Sequence, residues 1–156
     1  MSERTDFIRH IERLPEAVAA AANGLSDKQL DTPTGEGKWT IRQIIHHIAD
    51  ANINAYTRMK LIVTETKPIL KPYDQDRWAA LPDGTSEPLE ATFGLLRGLH
   101  LRWSRFLNSL SESDWSREGI HLENGKVTLD DVLKTYSTHG ERHTEQIVTF
   151  RKKMNW

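Results

Sequence analysis

The amino-acid sequence predicts an all-α fold, a four-helix bundle formed by a single domain that spans residues 1–156. Apolar residues recur at intervals of three and four positions in four long segments, which is the spacing of one helix face. Alternation with a period of two, which is typical of strands, is not sustained anywhere in the chain. The length suits one domain with a buried core, and no linker divides it.

The first helical segment runs from about residue 5 to residue 22, and a polar connection follows it. Pro15 lies in the middle of this segment and predicts a kink or a break, because proline lacks the backbone N–H that an interior helical position uses. The connection over residues 25–39 is rich in proline and glycine. We expect it to carry a short turn at residues 26–30.

The second helix has a recognisable start, because Thr40 is followed three residues later by Gln43. This pair forms a capping box, in which each side chain accepts a hydrogen bond from the other residue's backbone N–H. The helix is expected to end near Thr64, and its stripe contains Ile41, Ile44, Ile45, Ile48, Ala55, Met59 and Ile62. Residues 65–88 contain four prolines and predict a long loop, a kind of segment that often acts as a lid or a binding segment.

The third helix is predicted to begin at Ser86, with Pro88 in its first turn, and to extend to about Leu110. The fourth is predicted to run from Thr128 to about Met154. Its apolar stripe consists of Leu129, Val132, Leu133, Tyr136, Gly140, Ile147 and Phe150, with His139 and His143 among them.

Composition excludes several classes of function. The net charge of -1 provides no basic field for sequence-independent binding, so we expect no nucleic-acid partner. The chain has no cysteine, which excludes disulfides, a protein thiol nucleophile and a cysteine metal site; any thiol chemistry needs a thiol from outside. The sequence shows neither a signal peptide nor a membrane span, so we expect a cytoplasmic protein that does not enter membranes.

Three histidines form a candidate metal site. On a helical wheel His139 and His143 lie within the apolar arc of the fourth helix. An unpaired buried ring nitrogen costs about 1–3 kcal/mol, and a shared metal ion supplies one bond to each ring. His47 lies at the edge of the second helix's stripe and can meet this pair, whereas its neighbour His46 projects away and is expected to be solvated. Three protein ligands leave coordination positions open, as catalytic sites do.

The alternative is that these are core histidines whose nitrogens bind other protein groups, and for His100 on the third helix we prefer that interpretation. Glu141 does not complete a zinc-protease motif, since the glutamate of that motif directly follows the first histidine. It lies away from the buried arc and is expected to be solvated. Gln146 lies one turn beyond His143 and is a candidate hydrogen-bond partner for that ring. We assign no catalytic residue beyond the metal ligands.

Asn54 and Arg58 continue the line of His47 along the second helix, and we assign them to binding the anionic part of a cosubstrate. The alternative for Arg58 is an ordinary surface arginine. Aromatic and acidic residues of the proline-rich loop either cover the ligand or hold the loop in place; these are Tyr73, Asp74 and Trp78. Packing in the core or at hinges is the expected role of Trp39, Trp103 and Trp115.

A set of short phrases occurs along the chain in the order QLDTP, GKWTIRQIIHHIADANINAYTRMKL, KPYDQDRWAAL, LLRGLHLRW and VLKTYSTHGERH. From about residue 11 to residue 156 the sequence thereby resembles the DinB/YfiT-like superfamily of metal-dependent four-helix proteins, and within it the YfiT-like branch. The resemblance implies that the second histidine of the HH pair and two histidines four apart on the last helix hold the metal. These match His47, His139 and His143. Other members can have further histidines next to the second histidine of the last-helix pair. In this chain the residues before His143 are Glu141 and Arg142.

The resemblance also implies a function. It suggests a transferase that joins a low-molecular-weight thiol, such as bacillithiol, mycothiol or glutathione, to a small electrophile, with a metal ion deprotonating the thiol. The alternative enzyme is a metal-dependent hydrolase that uses activated water, and a further alternative is a bundle that binds a ligand without catalysis. We expect one divalent transition metal, zinc or nickel, because neutral imidazole suits both. Relatives suggest a homodimer, in which Trp156 could pack on the partner.

Overall fold

The computed structural model describes residues 3–156, and their main feature is the expected four-helix bundle. The long helices are α1 (Glu3–Ala22), α3 (Ile41–Thr64), α6 (Leu89–Asn108) and α8 (Leu129–Met154). Shorter elements connect them: α2 (Asp27–Leu30), β1 (Ile69–Leu70), α4 (Gln75–Ala79), α5 (Pro82–Thr85), α7 (Glu112–Trp115), β2 (Glu118–His121) and β3 (Gly125–Thr128). Within residues 3–156 we find no helix with the length and apolar character needed to cross a membrane.

Local capping determines where the long helices begin. Thr40 and Gln43 form the predicted capping box at α3, and Thr128 forms a second one with Asp131 at α8. Helix α6 begins at Leu89, after Pro88, and not at Ser86 as predicted. The reason is that a proline disfavours helical backbone angles in the residue before it, so the helix cannot extend back past Pro88.

Helix α1 continues through Pro15, so the predicted break is absent. Because Pro15 has no N–H, the carbonyl of Ile11 one turn earlier loses its helical partner. His100 Nδ1 lies 2.6 Å from this carbonyl oxygen and donates to it. The other ring nitrogen, Nε2, then accepts from Asn52 Nδ2 at 3.0 Å. His100 is therefore a core histidine with both nitrogens bonded, as predicted.

The apolar core consists of two clusters that are separated along the bundle by a polar layer. One cluster joins the first half of α3 to the C-terminal ends of α1 and α8, and the other joins the second half of α3 to their N-terminal ends. Between them lie three almost fully buried polar residues, Asn52, His100 and Ser137. The histidines of α8 lie at the same level of the helix, between Leu133 of one cluster and Ile147 of the other.

A three-stranded sheet, in the order β1-β2-β3, is a feature that the sequence did not predict. Strand β1 pairs in parallel with β2, with Ile69 opposite Ile120, and β2 pairs antiparallel with β3. Strands of two to four residues are too short to show a period-two pattern, which explains the omission. The sheet leads directly into the cap of α8, because Thr128 is both the last residue of β3 and the N-cap.

The segment 65–88, predicted as a loop, also contains short helices. Asp74 caps α4 by accepting a hydrogen bond from the backbone N–H of Arg77 at 3.0 Å. The Gln43 side chain donates to the carbonyl of Ala79 at 2.8 Å and so fastens the end of α4 to the start of α3. The segment therefore packs along α3 as a structured cover.

The contact between His100 and the carbonyl freed by Pro15 can be tested by a double-mutant cycle. We expect His100→Leu to lower the free energy of unfolding by roughly 2–4 kcal/mol, because the Ile11 carbonyl and the Asn52 amide lose their partners. In a Pro15→Ala background residue 15 regains an N–H, so the same substitution should cost about 1 kcal/mol less. Urea denaturation of the four proteins measures both values, and strict additivity would contradict the assignment.

Candidate metal centre

Three histidine side chains converge between α3 and α8. One ring nitrogen from each of His47, His139 and His143 lies within 4.8 Å of the other two. His47 Nε2 and His139 Nε2 face each other at 3.3 Å. The centroids of the three rings are 4.6–5.2 Å apart, and His47 is only 2% exposed. The structure thus brings together the three histidines that were selected from the sequence.

The ring nitrogens fit a metal ion. Two nitrogens bound at about 2.0–2.1 Å to one tetrahedral ion are about 3.3 Å apart, close to the His47–His139 separation. His143 Nδ1 lies 3.1 Å from Gln146 Oε1, the predicted partner, and this contact leaves its Nε2 free to coordinate. His139 Nδ1 is buried and has no hydrogen-bond partner within residues 3–156. Three ligands leave at least one position of a four-coordinate ion open.

Burial keeps these rings neutral, which is the state that binds a metal. Desolvation, followed by the nearby His143, lowers the pKa of His47 to about 4. Desolvation, followed by His143 and His47, lowers the pKa of His139 to about 3. Burial likewise lowers the pKa of His143, and the hydrogen bond that the ring donates to Gln146 Oε1 partly offsets this lowering. At neutral pH the cluster therefore has no proton to lose before it binds an ion.

Comparison with known proteins identifies the family. Residues 10–147 match the family profile described as the DinB superfamily. The chain belongs to the DinB superfamily. A DinB relative from Geobacillus thermodenitrificans, named provisionally as a metal-dependent hydrolase, is 42% identical over 153 residues, which cover 97% of this chain and 85% of the relative. A protein from Bacillus mycoides with the same provisional name is 41% identical over 150 residues, which cover 96% of this chain and 86% of the relative.

Among solved structures, this DinB chain is similar to YfiT from Bacillus subtilis. The TM-score is 0.95 with 33% sequence identity, and the match covers 100% of this chain and 91% of YfiT. YfiT is described, also provisionally, as a metal-dependent hydrolase with an unusual four-helix bundle topology. The fold and the family expected from the sequence are thereby confirmed.

Trp39 lies against the histidine cluster, although the sequence predicted only a packing role for it. Its ring lies 4.6 Å from that of His47 and is stacked at 6.5 Å from that of His143. The available signal was its position just before the Thr40 cap, where a hydrophobic residue commonly folds back onto the first turns of the helix. The indole therefore covers one side of the histidine cluster.

His46 is buried and does not join the cluster, so the prediction that it is solvated is wrong. It is 6% exposed, with Nδ1 at 2.8 Å from the Thr92 hydroxyl and Nε2 at 3.1 Å from the Glu87 carbonyl. A wheel drawn for α3 alone cannot show that the start of α6 packs on this face. The two neighbouring histidines thus have separate roles, one in packing and one in the cluster.

Arg58 is also buried, at 8% exposure, which excludes the alternative of a surface arginine. Its Nη1 donates to the Tyr136 hydroxyl and its Nη2 to the Lys71 carbonyl, both at 2.7 Å. Asn54 donates its side-chain N–H to the carbonyl of Asp50 in its own helix at 2.9 Å. The two residues of the predicted pair therefore have different roles. Asn54 bonds to a carbonyl of its own helix, and Arg58 joins α3 to α8.

The cover segment 65–88 brings an aromatic pair to the cleft between α3 and α8. The rings of Tyr73 and Trp78 are 4.6 Å apart, and Trp78 is 41% exposed. Burial raises the pKa of the Tyr73 hydroxyl, and the charges of Tyr136 and Asp50 raise it further. Burial also raises the pKa of Asp50, which lies one turn after His47, to about 6. Tyr73 follows closely after Lys71, whose carbonyl accepts from Arg58, so this part of the cover segment lies at the cleft.

Glu141 and Gly140 lie beside the ligands on α8 but face different surroundings. Glu141 is exposed and lies 3.1 Å from His10 Nδ1, in agreement with the prediction that it is not a buried base. Gly140 packs on α1, where an added Cβ would meet the Leu14 side chain, with Cδ1 at 2.8 Å and Cγ at 3.1 Å. The absence of a side chain at Gly140 lets α1 and α8 approach closely next to the histidine cluster.

The lowered pKa values predict that metal affinity depends weakly on pH. For three histidines of ordinary pKa, lowering the pH from 7.5 to 5.5 would weaken binding by roughly a thousandfold through protonation. Because His47 and His139 stay neutral until about pH 4 and 3, we expect a loss of about tenfold or less. Competition of the metal-free protein with a chelating dye calibrated at each pH measures this, and a thousandfold loss would show that the rings protonate normally.

Proposed function

We propose that this DinB protein is a metal-dependent hydrolase in which His47, His139 and His143 hold one divalent transition metal. The observation that supports this most directly is the convergence of three ring nitrogens within 4.8 Å of one another. The provisional names of the relatives from Geobacillus and Bacillus support hydrolysis as the reaction. Zinc and nickel both suit neutral imidazole ligands, and we propose one of them as the ion.

The protein residues supply a neutral, partly shielded set of ligands. Gln146 fixes the orientation of His143, and Trp39 covers His47 on the side away from His139. The buried ring of His47 cannot rotate freely, so its Nε2 stays directed at the other two rings. When bound, a divalent ion would act as a Lewis acid that lowers the pKa of a water or thiol nucleophile. The cover segment is fastened to α3 at two points, through Gln43 to the Ala79 carbonyl and through Arg58 to the Lys71 carbonyl.

Thiol transfer is the second candidate, and one observation favours it. Within residues 3–156 the ligand group consists of histidines alone, with no aspartate or glutamate among them. Water, with a pKa of about 15.7, needs more help to ionise than a thiol at about 8.5, so a site without an adjacent base suits a thiol better. The thiol must come from outside, because the chain has no cysteine. We propose a low-molecular-weight thiol such as bacillithiol or glutathione and a small electrophile.

The neighbouring histidines of α3 provide a matched test of the ligand assignment. We expect His47→Ala to reduce the bound metal to well below one ion per chain. His46→Ala should keep the metal but lower the free energy of unfolding by about 1–3 kcal/mol, because the Thr92 and Glu87 groups lose their partner. Elemental analysis of tag-free protein and urea denaturation measure the two effects. Metal retained in the first variant and lost in the second would reverse the assignment.

The reaction can be tested on metal-loaded protein with a panel of activated esters, amides and alkyl electrophiles, each with and without added thiol. Hydrolysis predicts turnover in the absence of thiol, whereas transfer predicts turnover that requires it and a thioether or thioester product. In either case His139→Ala should reduce turnover by at least about 100-fold. His10→Ala, which changes a histidine outside the cluster, is the control. Unchanged turnover in His139→Ala would refute a catalytic role for the cluster.

A further inference from the structure

Two buried arginines on α3 differ in how their charges are balanced. Arg42 is 4% exposed, and its guanidinium contacts two carboxylates, Asp31 at 2.6 Å and Asp27 at 2.8 Å. Arg58 is 8% exposed, but within residues 3–156 no carboxylate oxygen lies within 4.0 Å of it. Its two hydrogen bonds go to the neutral Tyr136 hydroxyl and Lys71 carbonyl. Because buried charges in proteins are normally paired, Arg58 has an unbalanced positive charge.

A cavity of about 80 Å³ adjoins this guanidinium. Arg58, Tyr136 and His121 line it on the inside, and the apolar side chains of Leu70 and Val132 complete its wall. It lies next to exposed residues of the β2–β3 turn and of α8. The space corresponds to two or three water molecules at about 30 Å³ each, enough for one small polar group and too small for a whole cosubstrate.

Three polar side chains that line this cavity, Arg58, Tyr136 and His121, offer hydrogen-bond donors. Arg58 has five N–H groups, of which two are used, so three are free. The Tyr136 oxygen accepts from Arg58, which leaves its own O–H to donate. His121 Nδ1 accepts from the backbone N–H groups of Glu123 and Asn124 at 3.3 and 3.4 Å, so the ring proton is on Nε2. A site that presents donors and one cation requires an acceptor that carries negative charge.

We propose that this cavity is a binding site for a carboxylate group, held by the Arg58 guanidinium with the Tyr136 hydroxyl and the His121 ring as further donors. A singly charged carboxylate balances the single charge of Arg58. A phosphate dianion would bring an unbalanced second charge into a half-buried site, because His121 is neutral: burial and the nearby Arg58 lower its pKa. The carboxylate is the end group of a small acid whose remaining atoms extend out of the cavity.

Asp131 is the acidic residue that lines the same cavity, and its carboxylate is already engaged. Its Oδ2 accepts from the backbone N–H of Thr128 at 2.8 Å and from the hydroxyl of the same residue at 2.7 Å. These bonds are the main reason that the pKa of Asp131 is lowered. The carboxylate therefore caps α8, and it forms no ion pair within 4.0 Å with Arg58.

The carboxylate site lies on the α3–α8 cleft but apart from the histidine cluster. Tyr136 connects the two, since its hydroxyl contacts Arg58 and its ring centroid lies 5.9 Å from that of His139, one turn further along α8. An acid bound at Arg58 would thus reach towards the cluster past the Tyr136 ring. Binding at Arg58 depends on the protein's own donors, so it can be tested whether or not the proposed hydrolysis is correct.

The test uses acetate as the probe and metal-loaded protein in a buffer free of other carboxylates and phosphate. We expect acetate to shift the side-chain Nε–H NMR resonance of Arg58 with a dissociation constant on the order of millimolar. The resonance of Arg42, equally buried but paired with two aspartates, is the internal control and should not move. Saturating acetate should also raise the melting temperature by roughly 2–4 °C.

Two variants and a second anion complete the design. Arg58→Gln should abolish the acetate-dependent rise in melting temperature, and Tyr136→Phe, which keeps the ring, should weaken acetate binding by roughly tenfold. His139→Ala should leave acetate binding unchanged, whereas a loss there would place the anion on the metal and overturn the proposal. The proposal is also wrong if acetate shifts neither Arg58 nor the melting temperature, or if phosphate binds more tightly than acetate.

Discussion

Hydrogen bonds between buried polar groups organise the middle of this bundle, because a polar group without a partner is costly to bury. Pro15 frees a backbone carbonyl in α1, the ring of His100 satisfies it, and Asn52 completes the chain of hydrogen bonds from α3. At the same level α3 and α8 present the ring nitrogens of the histidine cluster. The apolar clusters on both sides of this layer fix the helices in one register, so the two ring nitrogens of His100 stay opposite the Ile11 carbonyl and the Asn52 amide. Packing and chemistry are therefore consequences of the same helix alignment.

The proposed site combines an uncharged ligand set with a buried arginine in the same cleft. Its ligand set is uncharged, and further along α3 the buried Arg58 has no acidic partner within residues 3–156. Both features favour anions: an ion held by neutral imidazoles keeps its full positive charge, and a guanidinium lies beyond it in the cleft. Electrostatics thus suggest that molecules entering the cleft carry negative charge, whichever nucleophile is used.

Much of this arrangement could be predicted from the sequence because it depends on helical periodicity. The recurrence of apolar residues at intervals of three and four located the long helices. A helical wheel drawn for these helices then selected His47, His139 and His143. The errors occurred where contacts between segments decide the outcome. His46 is buried by residues of another helix, Trp39 reaches the cluster by folding back over a cap, and the short strands pair over long sequence separations. A single helix wheel contains no information about such neighbours.

Because α1 packs closely on Gly140, this position of α8 has no room for a catalytic side chain. In zinc proteases of the His-Glu pattern, the general base occupies the residue directly after the first ligand, which in this chain is residue 140. A glutamate at that position would have to displace Leu14 and force two helices of the bundle apart. A proton acceptor for the reaction therefore has to come from a position other than residue 140 or with the substrate itself.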